Sequence, residues 1–296
     1  MIESSILKTK NMYKEATPTD AVLKLQECET VFKTIMADRM PDVEISHDCV
    51  ADENPYFKTI NFTTYAGCFI MHPLAPKLAH QQMIDAIADM KYGTISRYKN
   101  HFIDKINSGK ASKYLQVKQE PKKLPKDLIV LPGTNKVAEH ISMFKLAKLR
   151  DECDSLAVKP HPLTTQKELD ELEVFFSKNK NCYICDVNDD LYELLKGADR
   201  VHTTHMSESA LYAAVLEKEI TSIEKYRTIG RASFYHINNF IFGKPKNTCY
   251  VQPMLAFGSN LSGVVIPEVD DSWLDKIALY IEYIRETRDI YKGCYV

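Results

Sequence analysis

Two segments carry the side chains best suited to holding an anion. Lys159-Pro160-His161-Pro162 follows the short apolar run 155–158, and its prolines stiffen the loop. His161 offers an imidazole N–H to a phosphate oxygen, and Lys159 adds positive charge. The second segment is His202-Thr203-Thr204-His205-Met206-Ser207-Glu208-Ser209, where a strand pattern gives way to a helical one. Ser207 suits the N-cap of that helix, and Ser209 with the first helix N–H groups can hold an anionic oxygen. Taken singly, a histidine after a strand is most often structural, and a serine before a helix is most often a cap. On strands of one parallel sheet, however, both segments emerge at the carboxyl edge, where open α/β sheets bind ligands.

The elements that must position these segments form a regular series. Residues 128–131 are apolar and lead through Pro132-Gly133-Thr134-Asn135 into a helical stretch ending at Arg150. A strand at 155–158, a helix at 165–178, a strand at 182–187 and a helix at 189–196 follow. Then come a strand at 200–203, a helix at 207–217 and a strand at 220–223. This alternation predicts βαβ units around a parallel sheet, a Rossmann-like half. Residues 271–291 read as one amphipathic helix, with Trp273, Ile277, Tyr280, Ile281 and Ile284 on a common stripe. In the first part of the chain, Ala21, Leu25, Cys28, Phe32 and Ile35 recur at helical spacing over 19–36. Residues 80–90 and 96–106 also read as helices, and 58–71 as one or two strands. Glu120-Pro121-Lys122-Lys123-Leu124-Pro125 reads as a linker. The expected division is therefore an N-terminal domain at 1–125, a Rossmann-like domain at 126–270, and a separate helix at 271–296.

With 296 residues, 45% hydrophobic and 26% charged, the composition is that of an ordinary globular chain and excludes disordered, collagenous and coiled-coil classes. Its net charge of −2 is unevenly spread. Residues 91–126 hold ten Lys or Arg against Asp104 and Glu120, a local +8 that leaves −10 for the remainder. Tyr92, Tyr98, Phe102 and Tyr114 are interleaved with these charges. The combination suits a nucleic-acid track in which Lys110, Lys113, Lys122 and Lys123 meet phosphates and rings meet bases; the plainer reading is a solvated lysine face. No run of about 18 apolar residues and no apolar leader occurs, so a cytoplasmic protein without a transmembrane segment is expected. The 8 cysteines lack framework spacing, which suggests reduced thiols.

Lys-Pro-His-Pro at 159–162, the run Asp190-Leu191-Tyr192-Glu193-Leu194-Leu195-Lys196-Gly197-Ala198-Asp199-Arg200-Val201-His202-Thr203-Thr204, and then Ser207-Glu208-Ser209-Ala210 carry a family resemblance. Together they resemble the C-terminal half of GT-B glycosyltransferases with an HP motif and a Ser/Thr motif, over roughly 128–225. Capsule Kdo transferases, bacterial sialyltransferases and polysialyltransferases, and CDP-glycerol polymerases are similar in this respect. The resemblance implies a GT-B-like α/β fold of two Rossmann-like domains, the N-terminal one reduced, with a C-terminal crossing helix. It implies a metal-independent, nucleotide-sugar-dependent glycosyltransferase using a CMP- or UDP-sugar as co-substrate and no other cofactor. His161 would then contact the sugar donor's phosphate, and Ser207 and Ser209 its oxygens, with Lys159, His202, Thr204 and Glu208 around them. The chain departs from Kdo transferases after the serine motif, where 210–216 runs straight into a helix. By analogy with phage enzymes that glycosylate hydroxymethylated bases, the positive segment implies a DNA acceptor; capsule or another anionic surface glycan is the alternative.

Glycosyl transfer with inversion needs a base for the acceptor hydroxyl. No acidic motif of the family is matched, so Asp48, Asp52 and Glu53, the densest acid cluster of the N-terminal part, stand as candidates beside the plainer reading of a solvated loop. His72-Pro73 repeats a His-Pro pair after an apparent strand. Without a secure base, a non-catalytic nucleotide- or nucleic-acid-binding protein on the same scaffold stays open, as does a nucleotide-sugar epimerase. Cys182-Tyr183-Ile184-Cys185 reads as core thiols, and His202 with His205 lacks a third ligand, so no metal is expected. Residues 258–263 read as a mobile loop outside any phosphate-binding fingerprint.

Overall fold

The computed structural model describes residues 20–47, 59–74, 76–110, 119–133, 140–162, 164–225 and 235–292. In chain order they form α1 (Asp20–Arg39), β1 (Glu44–His47), β2 (Thr59–Tyr65), β3 (Cys68–Pro73), α2 (Pro76–Ile87), α3 (Ile95–Asn107), β4 (Asp127–Val130), α4 (Met143–Glu152) and β5 (Leu156–Lys159). Then follow α5 (Gln166–Phe176), β6 (Cys182–Ile184), α6 (Leu191–Gly197), β7 (Arg200–Thr203), α7 (Ser209–Val215), β8 (Glu219–Ser222), α8 (Tyr235–Asn239), α9 (Val251–Gly258), β9 (Val264–Val265) and α10 (Trp273–Lys292). The chain is α/β, and its contacts divide it into two compact units.

One unit comprises Ile106–Arg227 and Ile241–Cys249. A three- or four-residue strand followed by a helix cannot fold back as a hairpin and must cross over to a parallel neighbour. The five strands accordingly lie in the order β6-β5-β4-β7-β8, every adjacent pair parallel. The chain moves outward from β4 through β5 to β6, then returns to the other side of β4 for β7 and β8. That reversal creates a topological switch point between β4 and β7. Every residue of β4 and β5 is buried, and Ile129, Leu131, Ile141, Leu146, Leu156, Val158, Phe176 and Ile223 form a continuous core. Local signals agree with the packing: Thr165 and Glu168 close a reciprocal capping box on α5, and Ser142 accepts from the Lys145 amide at the start of α4. β6 stops at Ile184 because the chain then turns, Asp186 accepting from the Asn188 amide and Asp189 from the Asp186 amide.

The other unit gathers Pro18–Lys105, Thr228–Phe240 and Tyr250–Val296. Its four-stranded sheet runs β1-β2-β3-β9, with β1 parallel to β2 and the remaining pairs antiparallel. The expected reduced Rossmann-like partner is thus a mixed sheet, since β2 and β3 meet in a two-residue turn where Ala66 and Gly67 both have positive φ. Cys28, Phe32 and Met36 of α1 pack with Phe62 and Phe69 of the sheet and with Ile277, Tyr280, Ile281 and Ile284 of α10. Each buried isoleucine there contributes about 2 kcal/mol. Gly263 has φ +75 and its amide neighbourhood is so tight that an added Cβ would lie 2.2 Å from the Met71 carbonyl oxygen. The loop around it is pinned, not mobile as its composition suggests: Ser259 donates to the Ala86 carbonyl at 2.8 Å and Ser262 to that of Ala256 at 2.5 Å.

These units cut the chain differently from the expected boundaries at 125 and 270. β9 pairs with β3, which draws 250–270 to the mixed sheet. Residues 119–123 join the parallel-sheet unit instead, because Gln119 bridges Asp189 and the Tyr183 hydroxyl donates to the Lys123 carbonyl at 2.7 Å. The C-terminal helix α10 packs on α1, and Arg39 pairs with Glu282 across 243 residues of sequence.

Candidate anion site at the parallel-sheet edge

Because β4, β5 and β7 are parallel neighbours, the loops that follow them share one edge. The strand ends are level: Val130 registers with Lys159, and the Thr203 hydroxyl donates to the Val130 carbonyl at 3.3 Å. His161, two residues past β5, is half-buried beside the loop that follows β4. A Cβ added to Gly133 would sit 3.9 Å from its Nδ1, an ordinary contact distance that places the two loops side by side. Thr164 donates its amide to the His161 carbonyl at 2.8 Å and closes the His161 loop. The loops bearing His161 and Ser207 leave strands two spacings apart, about 10 Å, with the end of β4 between them.

The hydroxyls after β7 form a directed chain. Thr203 spends its proton on Val130, so Ser209 donates to Thr203 at 3.0 Å, and Ser207 donates to Ser209 at 2.6 Å. The Ser209 amide in turn donates to the Ser207 hydroxyl at 3.3 Å. Ser209 is 3% exposed, whereas Ser207 is half-buried at the outer end. Ser207 is therefore the outermost hydroxyl of the chain, and Ser209 holds it in place. The N-cap of α7 is Glu208, with no side-chain cap bond, instead of the expected Ser207. Glu208 is half-buried near Tyr192, whose phenol is pushed up by burial and then by the Glu208 charge. Thr204 is buried and accepts from the Met206 amide at 3.3 Å, which shapes the turn.

The loop also contains a pair that residue spacing did not single out. Glu224, two residues past β8 and 2% exposed, accepts from the His205 backbone amide at 3.2 Å and lies 2.5 Å from His205 Nδ1. It takes the Nδ1–H bond, which fixes the orientation of the ring. The imidazole stacks on Phe242 at 4.0 Å, and Lys145 donates to the carbonyls of Ser222 and Glu224 at 3.0 and 2.8 Å. A single acid just past an apolar strand is the only signal the sequence offers for this pair.

Two of the expected ligand residues are engaged within the fold. Lys159 is 4% exposed, and its ammonium donates to the Pro160 and Val187 carbonyls at 3.1 and 2.9 Å, tying two loops together; burial pushes its pKa down. His202 lies inside β7 and faces Asp127 at the start of β4: Nε2 is 3.2 Å from Asp127 Oδ1, and Nδ1 is 2.6 Å from the Thr221 hydroxyl. Burial raises the Asp127 pKa, but hydrogen bonds from His202 and Arg200 together with the Arg200 charge outweigh it and hold the carboxyl below the usual range. Successive strand side chains alternate between the two faces of a sheet, and His202 lies along one of them, turned to Asp127.

The positive segment is likewise not one track. Tyr98 and Phe102 are core residues at 4% and 0% exposure, Tyr92 is 73% exposed, and Tyr114 and Lys113 lie outside the described residues. Lys105 pairs with Glu268 at 3.0 Å, and Arg97 donates to the Val269 carbonyl. Lys110 is exposed in the turn after α3. Lys122 and Lys123 line a groove of about 550 Å³ along β6, together with Lys180, Tyr183, Glu173, Asp186 and Asp189. Lys123 lies 5.4 Å from the Tyr183 ring centroid. Asp48, Asp52 and Glu53 also lie outside the described residues. His72 is buried in β3, its Nδ1 bonded to the Pro73 carbonyl and its Nε2 3.1 Å from Asn61. Cys182 and Cys185 are free thiols, the latter pushed up to about 12 by burial. Among the described residues, no helix is long and apolar enough to cross a membrane.

No protein-family model and no curated protein matches the chain. Solved structures do. The β-Kdo 2,4 transferase KpsC of Thermosulfurimonas dismutans is 12% identical over 67% of this chain and 70% of that one, with a TM-score of 0.38. The wall teichoic acid polymerase TagF is 14% identical over 67% and 47%, with a TM-score of 0.27. The UDP-GlcNAc 2-epimerase of Methanocaldococcus jannaschii, solved with UDP-GlcNAc and UDP, is 16% identical over 66% and 54%, with a TM-score of 0.29. The chain spans about half the length of the latter two.

Proposed function

We propose that this chain is a nucleotide-sugar-dependent glycosyltransferase that holds the sugar donor's phosphate at the carboxyl edge of the five-stranded sheet. The observation that carries the reading is the placement of His161 and Ser207 on loops flanking β4 at the switch point of an all-parallel sheet. A leaving phosphate gathers negative charge as the glycosidic bond breaks, and an imidazole N–H with a hydroxyl O–H lowers that barrier. His205, oriented by Glu224, adds a second imidazole to the same edge. A CMP- or UDP-sugar is the proposed co-substrate, its charge met by these groups without a metal, and a cytoplasmic location accompanies such a donor. Asp48, Asp52 and Glu53 remain the proposed bases for the acceptor hydroxyl.

Calorimetric titration with CMP, UDP and CDP tests the donor site. One of them is expected to bind, and His161→Ala to weaken it roughly ten- to a hundredfold, the value of a hydrogen bond to a charged group. His161 lies in a half-buried loop, so the variant is expected to melt as the wild type does. Unchanged affinity in a folded His161→Ala chain removes the assignment.

For the acceptor, a hydroxymethylated base in DNA is the proposal, resting on the lysines of the β6 groove. The variant Lys122→Glu/Lys123→Glu is expected to weaken duplex binding at low salt and to flatten its salt dependence. A wild-type chain that never retards duplex DNA leaves the surface-glycan acceptor in its place.

A further inference from the structure

At the amino-terminal edge of the same sheet, away from the phosphate loops, three side chains of different chemistry converge. Asp127 opens β4, Cys153 sits in the turn between α4 and β5, and His202 comes from β7; they are 2%, 6% and 3% exposed. One carboxylate oxygen, the thiol sulfur and one ring nitrogen all lie within 4.8 Å of one another. We propose that Asp127, Cys153 and His202 form a binding site for a thiophilic divalent cation, with zinc the ion their donor set fits.

The geometry and chemistry agree on that ion. His202 Nε2 and Asp127 Oδ1 are 3.2 Å apart. Two ligands about 2.0 Å from a tetrahedral zinc are separated by about 3.3 Å. His202 Nδ1 meets the Thr221 hydroxyl at 2.6 Å, the outer contact that fixes the ring of a metal-bound histidine. One sulfur, one imidazole nitrogen and one carboxylate oxygen suit zinc, whereas magnesium and calcium take oxygen ligands. Three protein ligands leave a fourth position for water. Arg200 competes for Asp127, with Nε 2.6 Å from Oδ1 and Nη2 2.9 Å from Oδ2, but its side chain is 48% exposed and can release Oδ1 into solvent.

Binding balances as follows. The Cys153 S–H bond breaks, a sulfur–metal bond forms, and one proton goes to solvent. His202 loses its Nε2 proton and takes one up at Nδ1, and Thr221 changes from hydrogen-bond giver to acceptor, which a rotating hydroxyl permits. The bound ion would tie the start of β4 and His202, well inside β7, to the turn before β5. The inference is independent of the glycosyltransferase reading, because none of these three groups reaches the carboxyl edge.

Cobalt(II) supplies a visible probe for the same site. Full-length chain stripped with a chelator is expected to take up one cobalt, with the thiolate-to-metal absorption of a tetrahedral sulfur-bound ion, and to release it to added zinc. Cys153→Ser, checked for unchanged circular dichroism, is expected to lose that absorption; Cys182→Ser/Cys185→Ser is expected to keep it. Thr221→Val is expected to weaken cobalt binding about tenfold. The proposal is overturned if the wild type shows no such absorption, if the absorption survives Cys153→Ser, or if it disappears in Cys182→Ser/Cys185→Ser. Should Cys153→Ser not fold, the wild-type and Cys182→Ser/Cys185→Ser arms decide alone.

Discussion

Glu224 holds His205 through its side chain and its backbone amide, and it is itself 2% exposed. Removing one partner of such a pair strands the other without water. Glu224→Ala is therefore expected to cost about 2–3 kcal/mol of stability, while Glu224→Gln, which still accepts from Nδ1–H, is expected to cost about 1 kcal/mol. Urea unfolding of both variants checks the order, and equal losses would show that the carboxylate does not orient the ring. At this scale the sequence shows which loops share an edge but not where each side chain is engaged. His161 and Ser207 are legible because strand alternation alone sends them to one edge. Lys159 and His202 turn to Val187 and Asp127, partners 28 and 75 residues away that their sequence neighbours do not reveal. Glu224 escapes notice because its partner lies 19 residues earlier and on a different strand-to-helix connection.

At the scale of elements, Gly263 and Gly109 separate two costs that usually occur together. Both have positive φ, +75 and +70, yet an added Cβ at Gly109 meets nothing within 4 Å while at Gly263 it strikes the Met71 carbonyl. Gly109→Ala is expected to cost about 1 kcal/mol from backbone strain alone. Gly263→Ala is expected to cost about 3 kcal/mol or more, since β3 must also move. Thermal melts of the two variants compare them directly; similar shifts would mean that the β3 contact yields easily. Elements with strong local signals are those the sequence places best: the α5 capping box, the α10 stripe and the β4–α4–β5 series. β9 is two residues long and β1 is half-exposed, so neither carries a pattern of its own. They exist because β3 and β2 offer them an edge, a tertiary cause that no local window contains.

At the scale of the molecule, half-buried His101 and buried His236 make stability depend on acidity. In the mixed-sheet unit, burial and then the nearby Lys105 charge push His101 down to about 4. Burial and then the charges of His72 and His80 hold His236 well below the ordinary histidine range. The unfolded chain takes up these protons near pH 6.5, before the folded one does. Stability is thus complete above that value and falls as pH drops, by up to about 3 kcal/mol for His101 alone on the way to pH 4. Urea midpoints between pH 7 and pH 4 are expected to fall steeply for the wild type and more gently for His101→Gln; identical slopes would remove His101 as a cause.

The pairing of Arg39 with Glu282 also bears on how the chain comes to be folded. Synthesis delivers Cys28, Phe32 and Met36 first, and Ile277, Ile281 and Ile284, which cover them, last. The parallel-sheet strands β4 to β8 lie within one uninterrupted stretch and can assemble while translation continues. The mixed-sheet unit must wait, its apolar α1 face uncovered, until α10 has been made. A nascent chain stalled before Trp273 therefore holds every strand of the five-stranded sheet, while Cys28, Phe32 and Met36 still lack the isoleucines that cover them.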